Sequence, residues 1–441
     1  MSMRFPRLLL AMLPLCAVLV LPAPASGQMN SIFSNIFTEI LDVRLQRSGS
    51  PGTHGQHFLQ SADVANRTLV PGLNGLVTAN VASVPIASTS NGVLFDFSSG
   101  MPVRVTESLG PILAETARPI GQGKLLVEAN FTSMSLDRFR GMATDAMRFT
   151  FTHQDVTNNG ALGDNPNESD LIDLVMGLST QLNIGALIAT YGVTNDIDAS
   201  LAVPFVNIRM SGTAVATIQS YTFPRGAAHH IFGGDTLNPV LTTSIPYDQS
   251  ASGIGDVALR VKYNVVRGGN VEFAALGDVR IPTGKASEFS GSGKPTYRLW
   301  AILSGRVGDA NPHLNVGYAM KPADFQSDAL EFRGGVDTKI SSAVTLAVDF
   351  LGQIDLNSDE AIHLAPGSVN ITDLVPGGRS TRTVRLSNIP DRENDNLFSL
   401  AAGVRFAPTD VLMVFANILA PLNTAGLRAS VVPTIGASLR F

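Results

Sequence analysis

Cysteine is nearly absent. Cys16 is the only one in 441 residues. That excludes a disulfide framework, a cysteine-ligated zinc site and an iron–sulfur cluster. Charge is scarce, at 15% of residues against 44% hydrophobic, so long disorder does not fit the composition. Positive charge is in deficit, with 31 Lys and Arg against 36 Asp and Glu. A chain with no basic surplus has little with which to neutralise phosphates, which argues against a nucleic-acid partner. Aromatic residues are few, 7% with one Trp and six Tyr. Past the N-terminus there is no long apolar run. Val411 to Leu422 is short and carries Asn417 and Pro421, whereas a helical span needs about 20 apolar residues.

What is present begins with an export signal. Arg4 and Arg7 precede the apolar stretch Leu8 to Leu21, and small residues follow at Ala23, Ala25 and Gly27. This order predicts a cleaved signal peptide over residues 1–27. Cys16 sits inside the apolar run behind Leu15, where a lipoprotein would need a small residue, so it is expected to leave with the signal.

The C-terminal two-thirds alternates. Val257, Leu259, Val261, Tyr263 and Val265 fall on one face of a segment whose other face holds Ala258, Arg260, Lys262 and Asn264. Similar two-faced segments occur at Val271 to Ile281, Leu330 to Lys339 and Val344 to Phe350. Side chains of a strand point alternately to its two sides, so each segment has an apolar and a polar wall. A soluble sandwich also alternates. Three features favour an antiparallel transmembrane β-barrel. The polar walls carry both signs of charge strand after strand, as a wet lumen requires. Tight turns near Asn195, Gly268, Gly308, Ser341 and Pro408 alternate with long connections near 212–253, 283–295 and 356–395. The chain ends on Ile435, Ala437, Leu439 and Phe441 at alternate positions, so that Phe441 is expected to serve as the signal for the barrel insertion machinery.

Counting back from Phe441 gives about 12 strands, the first near 124–134, and the even number returns both ends of the barrel to one side. A segment at Asp145 to His153 is assigned to an external hairpin. A pair near Val77–Ile86 and Val93–Phe97 is the alternative that raises the count to 14. Residues 28–123 are punctuated by Pro51-Gly52, Pro71-Gly72, Asn74-Gly75 and Asn91-Gly92, and are expected to plug the lumen or to rest at its periplasmic mouth. Residues 124–441 form the barrel.

Several blocks occur together in order: Ser108-Leu109-Gly110-Pro111-Ile112-Leu113-Ala114-Glu115, Gly121-Gln122-Gly123-Lys124, Tyr191-Gly192-Val193-Thr194-Asn195-Asp196, Gly253-Ile254-Gly255-Asp256 and Ile281-Pro282-Thr283-Gly284-Lys285. Their order resembles outer-membrane transporter-like proteins of the meta-pathway of phenol degradation, distant relatives of the long-chain fatty-acid channels. The resemblance covers roughly residues 85–441. It implies a barrel that takes up small hydrophobic or aromatic compounds. Locally, the same blocks read as turn and strand-end chemistry.

Parity points Arg260, Lys262, Glu272, Asp278, Arg280, Arg298, Arg306, Glu331, Arg333, Asp337, Lys339, Asp349, Arg405 and Arg440 into the lumen. Such charges pair and stiffen a narrow barrel, or they line a path and select solutes. In the paired arrangement Glu272 and Asp278 neutralise the cluster of Arg260, Lys262 and Arg280. Trp300 shares this parity; an inward position and a girdle position after a bulge are both open.

No histidine has Ser two residues later, the pattern of outer-membrane phospholipases, and His313-Leu314-Asn315 lacks a nucleophile. An enzyme is not expected. His229-His230 near Asp235 is read as a solvated loop pair, and Asp164, Glu168 and Asp170 as a hydrated external loop, so neither a metal nor a cofactor is assigned. The expectation is a monomeric channel or transporter in the outer-membrane lipid of a bacterium, passing a small solute. A structural or adhesive barrel and a barrel hydrolase are the alternatives.

Overall fold

A computed structural model describes residues 28–47, 55–83, 94–96, 103–105 and 108–441, apart from 323, 325 and 358–360. The expected signal peptide, residues 1–27 with Cys16, lies outside the described residues.

Alternation in the sequence becomes the wall of a closed antiparallel barrel. In chain order its 12 strands are Leu125–Phe139, Ser179–Gly192, Ile197–Gln219, Val257–Val266, Val271–Ile281, Thr296–Gly305, Ala310–Met320, Ala329–Lys339, Val344–Asp355, Leu397–Phe406, Leu412–Pro421 and Val432–Arg440. The last pairs with the first, Ala437 opposite Ala129. Leu125 and Phe441 exchange both backbone hydrogen bonds, at 3.0 and 2.8 Å. Closure leaves no unpaired edge, the condition for a sheet to sit in lipid.

The outer face is apolar. Val261, Leu299 and Ile435 are 55, 65 and 60% exposed, while their neighbours Arg260 and Arg298 are buried. Tyr191, Tyr263 and Phe441 are exposed towards the short-turn end, Tyr297 and Tyr318 towards the long-loop end. These are thin aromatic belts around an aliphatic band, the pattern of a barrel seated in a membrane. Among the described residues, no helix is long and apolar enough to cross one.

Two elements depart from the sequence reading. The strand expected over 171–192 is broken at Gly177. Leu171–Met176 leaves the wall to pair with Met147–Thr152 and with residues 214–219 of the long Ile197–Gln219 strand. Much of the expected 212–253 loop is likewise strand, since Thr242–Ile254 continues the sheet against residues 205–217. The extra pair that would make 14 strands does not enter the wall. Val70–Ser83 is a helix, and Leu94–Asp96 pairs with Val103–Val105 apart from the barrel.

The helix runs through Pro71-Gly72 and Asn74-Gly75, read above as breakers. Pro71 lies just past the π-helical turn Ala65–Leu69, and such a wider turn inside a helix is one of the places where the regular bonding ladder is already interrupted. Burial of Leu69, Leu73, Leu76 and Val77 outweighs the glycine propensity cost. Gly72 also lets the helix approach Leu364, whose Cδ2 would lie 2.9 Å from any Cβ at that position. With Ile32–Thr38 and Leu59–Val64, this helix fills the long-loop end. Phe37 packs edge-on against Phe149 and Phe151, with ring centroids 6.1 and 5.8 Å apart. The same apolar cluster takes in Leu136, Leu182, Ile184 and Val206 from the barrel wall.

Candidate functional site

The polar faces of the strands surround an extended segment, residues 108–120, that the sequence offered no reason to place there. It has no alternation and no strand partner. Its backbone is satisfied instead by side chains of the wall. Asp349 Oδ2 accepts the amides of Ile112, Leu113 and Ala114 at 3.1, 2.7 and 3.1 Å. Asn315 accepts from the Glu115 amide at 2.6 Å and donates to the Glu115 carbonyl at 2.9 Å. Asp198 accepts the Ile120 amide, Ser304 the Ala117 amide and Thr345 the Leu109 amide. Carbonyls are taken by cations: Arg333 donates to Leu113 at 2.6 Å, Lys262 to Arg118 at 2.8 Å, and Arg405 to Pro111. Buried amides and carbonyls must be paired, and bonds to charged partners are the stronger kind. The segment is therefore a strap held across the interior.

Its two charged side chains complete the network. Glu115 pairs with Arg260 at 3.2 Å, and Arg118 with Glu272 at 3.0 Å. Arg260 also pairs with Asp278 at 2.7 Å, and Lys262 with Asp198 at 3.5 Å. Asp278 thus pairs with Arg260 as expected from sequence, whereas Glu272 serves the strap and Lys262 is met by Asp198. The strap ends at Gly121 to Lys124, where the Gly123 amide donates to the Gly192 carbonyl at 2.8 Å. A Cβ at Gly192 would fall on the Gly121 carbonyl.

Arg260, Lys262, Glu272, Asp278, Arg298, Trp300, Glu331, Asp337, Asp349 and Arg405 are buried on the face opposite the aliphatic band. Arg280, Arg333, Lys339 and Arg440 are half-buried on their strands. Arg306 is placed differently: it follows the end of Thr296–Gly305 and belongs to the turn, where its amide bonds Asn270. Trp300 packs with Ala117 of the strap, Ala274, Leu276 and Ile302, and the Arg333 guanidinium lies 4.7 Å from its ring. Sequence reading missed the inward roles of His313, which lies between Asp349 at 2.7 Å and Asp337 at 3.4 Å, and of Asn315, whereas Asn264 and Thr345 fall on the polar faces as expected and bond the strap. His313 and Asn315 alternate with the outward Leu314 and Val316, which is the signal that marks them as inward.

Arg333, which donates to the strap at Leu113, also lines a cavity of about 150 Å³. Met134, Leu136, Leu351, Leu419 and Val432 give it an apolar side; Glu331, Arg333, Ser399 and Arg428 give it a polar one. A second cavity, of about 110 Å³, shares Asn80, Gln353, Leu397 and Leu427 with the first. It extends to Asn357, Glu393 and Asn394 in the loops. Arg140 holds that loop region together by pairing with Asp395 at 2.9 Å and donating to the carbonyls of Ile362 and Pro390. Two loop acids read as hydrated are in fact buried. Glu168 accepts the amides of Val156 and Gly163, and Asp170 accepts the Tyr221 amide and bonds His230.

Residues 154–357 match the family model described as the putative MetA-pathway of phenol degradation, in agreement with the resemblance of the sequence blocks. No curated protein matches the chain. An outer membrane channel from Pseudomonas putida F1 is similar at 11% identity and a TM-score of 0.42, covering 74% of this chain and 98% of that one. A monoaromatic hydrocarbon channel is similar at 8% identity and a TM-score of 0.35, covering 73% and 89%. A Pseudomonas aeruginosa FadL homologue is similar at 9% identity and a TM-score of 0.29, covering 72% and 89%.

Proposed function

We propose that this protein is an outer-membrane channel for small hydrophobic or aromatic solutes, closed at rest by its own N-terminal region. The observation that carries the reading is the pair of adjoining cavities that runs from the long loops to Arg333, the residue that holds the strap at the Leu113 carbonyl. A solute with an apolar body and a polar group fits a chamber with one aliphatic wall and one bearing Arg333 and Arg428. The family match and the likeness to a monoaromatic hydrocarbon channel agree with that class of solute. In this reading residues 28–123 are the plug, the long loops face outward, and Asp349, Asn315 and Arg333 are the residues that hold it shut.

No chemistry is required of the site. His313 is engaged by two carboxylates, and its role is to brace Asp349. The test is flux of phenols, alkanols and fatty acids into proteoliposomes. Leu351→Trp fills the apolar side of the cavity and should lower flux of the preferred solute by at least several-fold without affecting heat-modifiable folding. A folded barrel that passes none of these solutes is an adhesive or structural barrel instead; turnover of lipid or ester substrates would make it an enzyme.

A further inference from the structure

Three histidines remote in sequence meet at the long-loop end. His57 comes from the N-terminal helical region, His153 directly follows the strand Met147–Thr152, and His230 begins the short strand His230–Ile231. Their ligand nitrogens all lie within 4.8 Å of one another, and His57 Nδ1 is 2.8 Å from His153 Nε2. His153 and His230 are each 1% exposed. The solvated pair expected at 229–230 is therefore split: His229 is exposed, whereas His230 turns inward.

Each buried ring is oriented by a bond at its other nitrogen. His230 Nδ1 lies 2.7 Å from Asp170 Oδ2, a carboxylate that is itself fully buried. His153 Nδ1 lies 2.7 Å from the Gln154 carbonyl. Both acceptors fix the proton on Nδ1 and leave the Nε2 lone pair to the cluster. This is the arrangement by which metal-binding histidines are held, with the second nitrogen donating to a carboxylate or a backbone carbonyl. The rings are further seated by Phe58, whose centroid is 5.4 Å from His153 and 5.6 Å from His230.

We infer that His57, His153 and His230 bind one divalent transition-metal ion of the zinc class, with Asp170 and the Gln154 carbonyl as their orienting partners. Imidazole suits Zn, Cu and Ni, and a site with three imidazoles and no carboxylate among its ligands does not suit Ca or Mg. Zn–N bonds of about 2.0–2.1 Å put the nitrogens of a tetrahedral ion roughly 3.3 Å apart. The cluster's spacings, from 2.8 Å to within 4.8 Å, bracket that value. For His57 Nδ1 to coordinate, its proton moves to its own Nε2. Neutral rings thus bind the ion without net loss of protons. Three protein ligands leave the fourth position to water or another small ligand.

Such an ion would join parts of the chain that lie far apart in sequence: the N-terminal region, the hairpin of Met147–Thr152, and the 220–241 connection. Backbone bonds already bring them together, such as the Gln154 amide to the His57 carbonyl at 2.8 Å and Gln46–Arg47 paired with His230–Ile231. The ion would act as a clasp on the plug at the mouth.

The experiment uses the untagged full-length mature protein in detergent, stripped with EDTA and then titrated with Co²⁺ and, in competition with a chromophoric chelator, with Zn²⁺. One Co²⁺ per chain with tetrahedral visible absorption is expected. Asp170→Asn should weaken Zn²⁺ binding about 10–100-fold, the usual effect of losing an orienting partner. His57→Phe, which keeps a ring in place, should abolish the absorption, while His229→Ala should leave it unchanged. Folding is checked by heat-modifiable mobility. A folded wild-type barrel that shows no tetrahedral Co²⁺ spectrum overturns the inference, as does binding that survives in folded His57→Phe. The wild-type result stands alone even where a variant fails to fold.

Discussion

The Leu113 amide donates to Asp349 Oδ2 at 2.7 Å, and the amides on either side of it share the same oxygen. One carboxylate on the Val344–Asp355 strand therefore holds three successive amides of the strap. Asp349→Ala leaves these buried donors unpaired, at about 1–3 kcal/mol each. The strap should detach before the barrel unfolds, because the wall strands keep all their ladder bonds. Planar-bilayer recordings should then show larger or more frequent openings. Wild-type currents from folded Asp349→Ala would mean that the strap is not the closure.

Removing residues 28–123 altogether should raise conductance further than Asp349→Ala. Both the strap and the helices at the long-loop end are then gone, while Leu125 and Phe441 still close the sheet. Equal conductance in the folded truncation and the full chain would place this region outside the pathway.

Arg260 and Val261 are adjacent but face opposite media, 6 and 55% exposed. Val261→Arg puts a charge on the lipid face and should cost about 2–4 kcal/mol near the bilayer midplane. Arg260→Ser strips a buried cation from Asp278 and Glu115, and breaking such pairs costs about 3–5 kcal/mol. The two should differ in kind. Val261→Arg should impair insertion, whereas Arg260→Ser should insert but loosen the strap and shift ion selectivity away from anions. A harmless Val261→Arg would reverse the assignment of inside and outside.

Deleting Phe441 removes the last backbone pair with Leu125 along with the terminal aromatic. Export should be intact and outer-membrane assembly reduced, measured as the heat-modifiable fraction in membranes. Undiminished assembly would remove Phe441 as the insertion signal.

The wall was legible because lipid on one side and a charged interior on the other impose a period of two on every strand, as at Val257 to Val265. The short turns were legible from Asn, Asp, Gly and Ser at their tips. The strap was not. Residues 108–120 have no periodicity, because their partners are side chains such as Asn315 and Asp349, some 200 or more positions away. The helices were obscured by Pro71, Gly72 and Gly75, whose local cost is overridden by burial that only the finished mouth supplies. The histidine cluster has no spacing motif, since its members lie 96 residues apart at the first step.

Apart from Ser108, Glu115 and Arg118, the polar grip of the wall on the strap is on its peptide groups. Side-chain changes at Leu113 or Thr116 that fit the available space leave every one of those bonds in place. A proline at Leu113 does not, since it deletes the donor at the centre of the Asp349 contact. The backbone grip fixes where the strap runs, while the buried Leu109, Ile112, Leu113 and Ala117 limit which side chains fit along it.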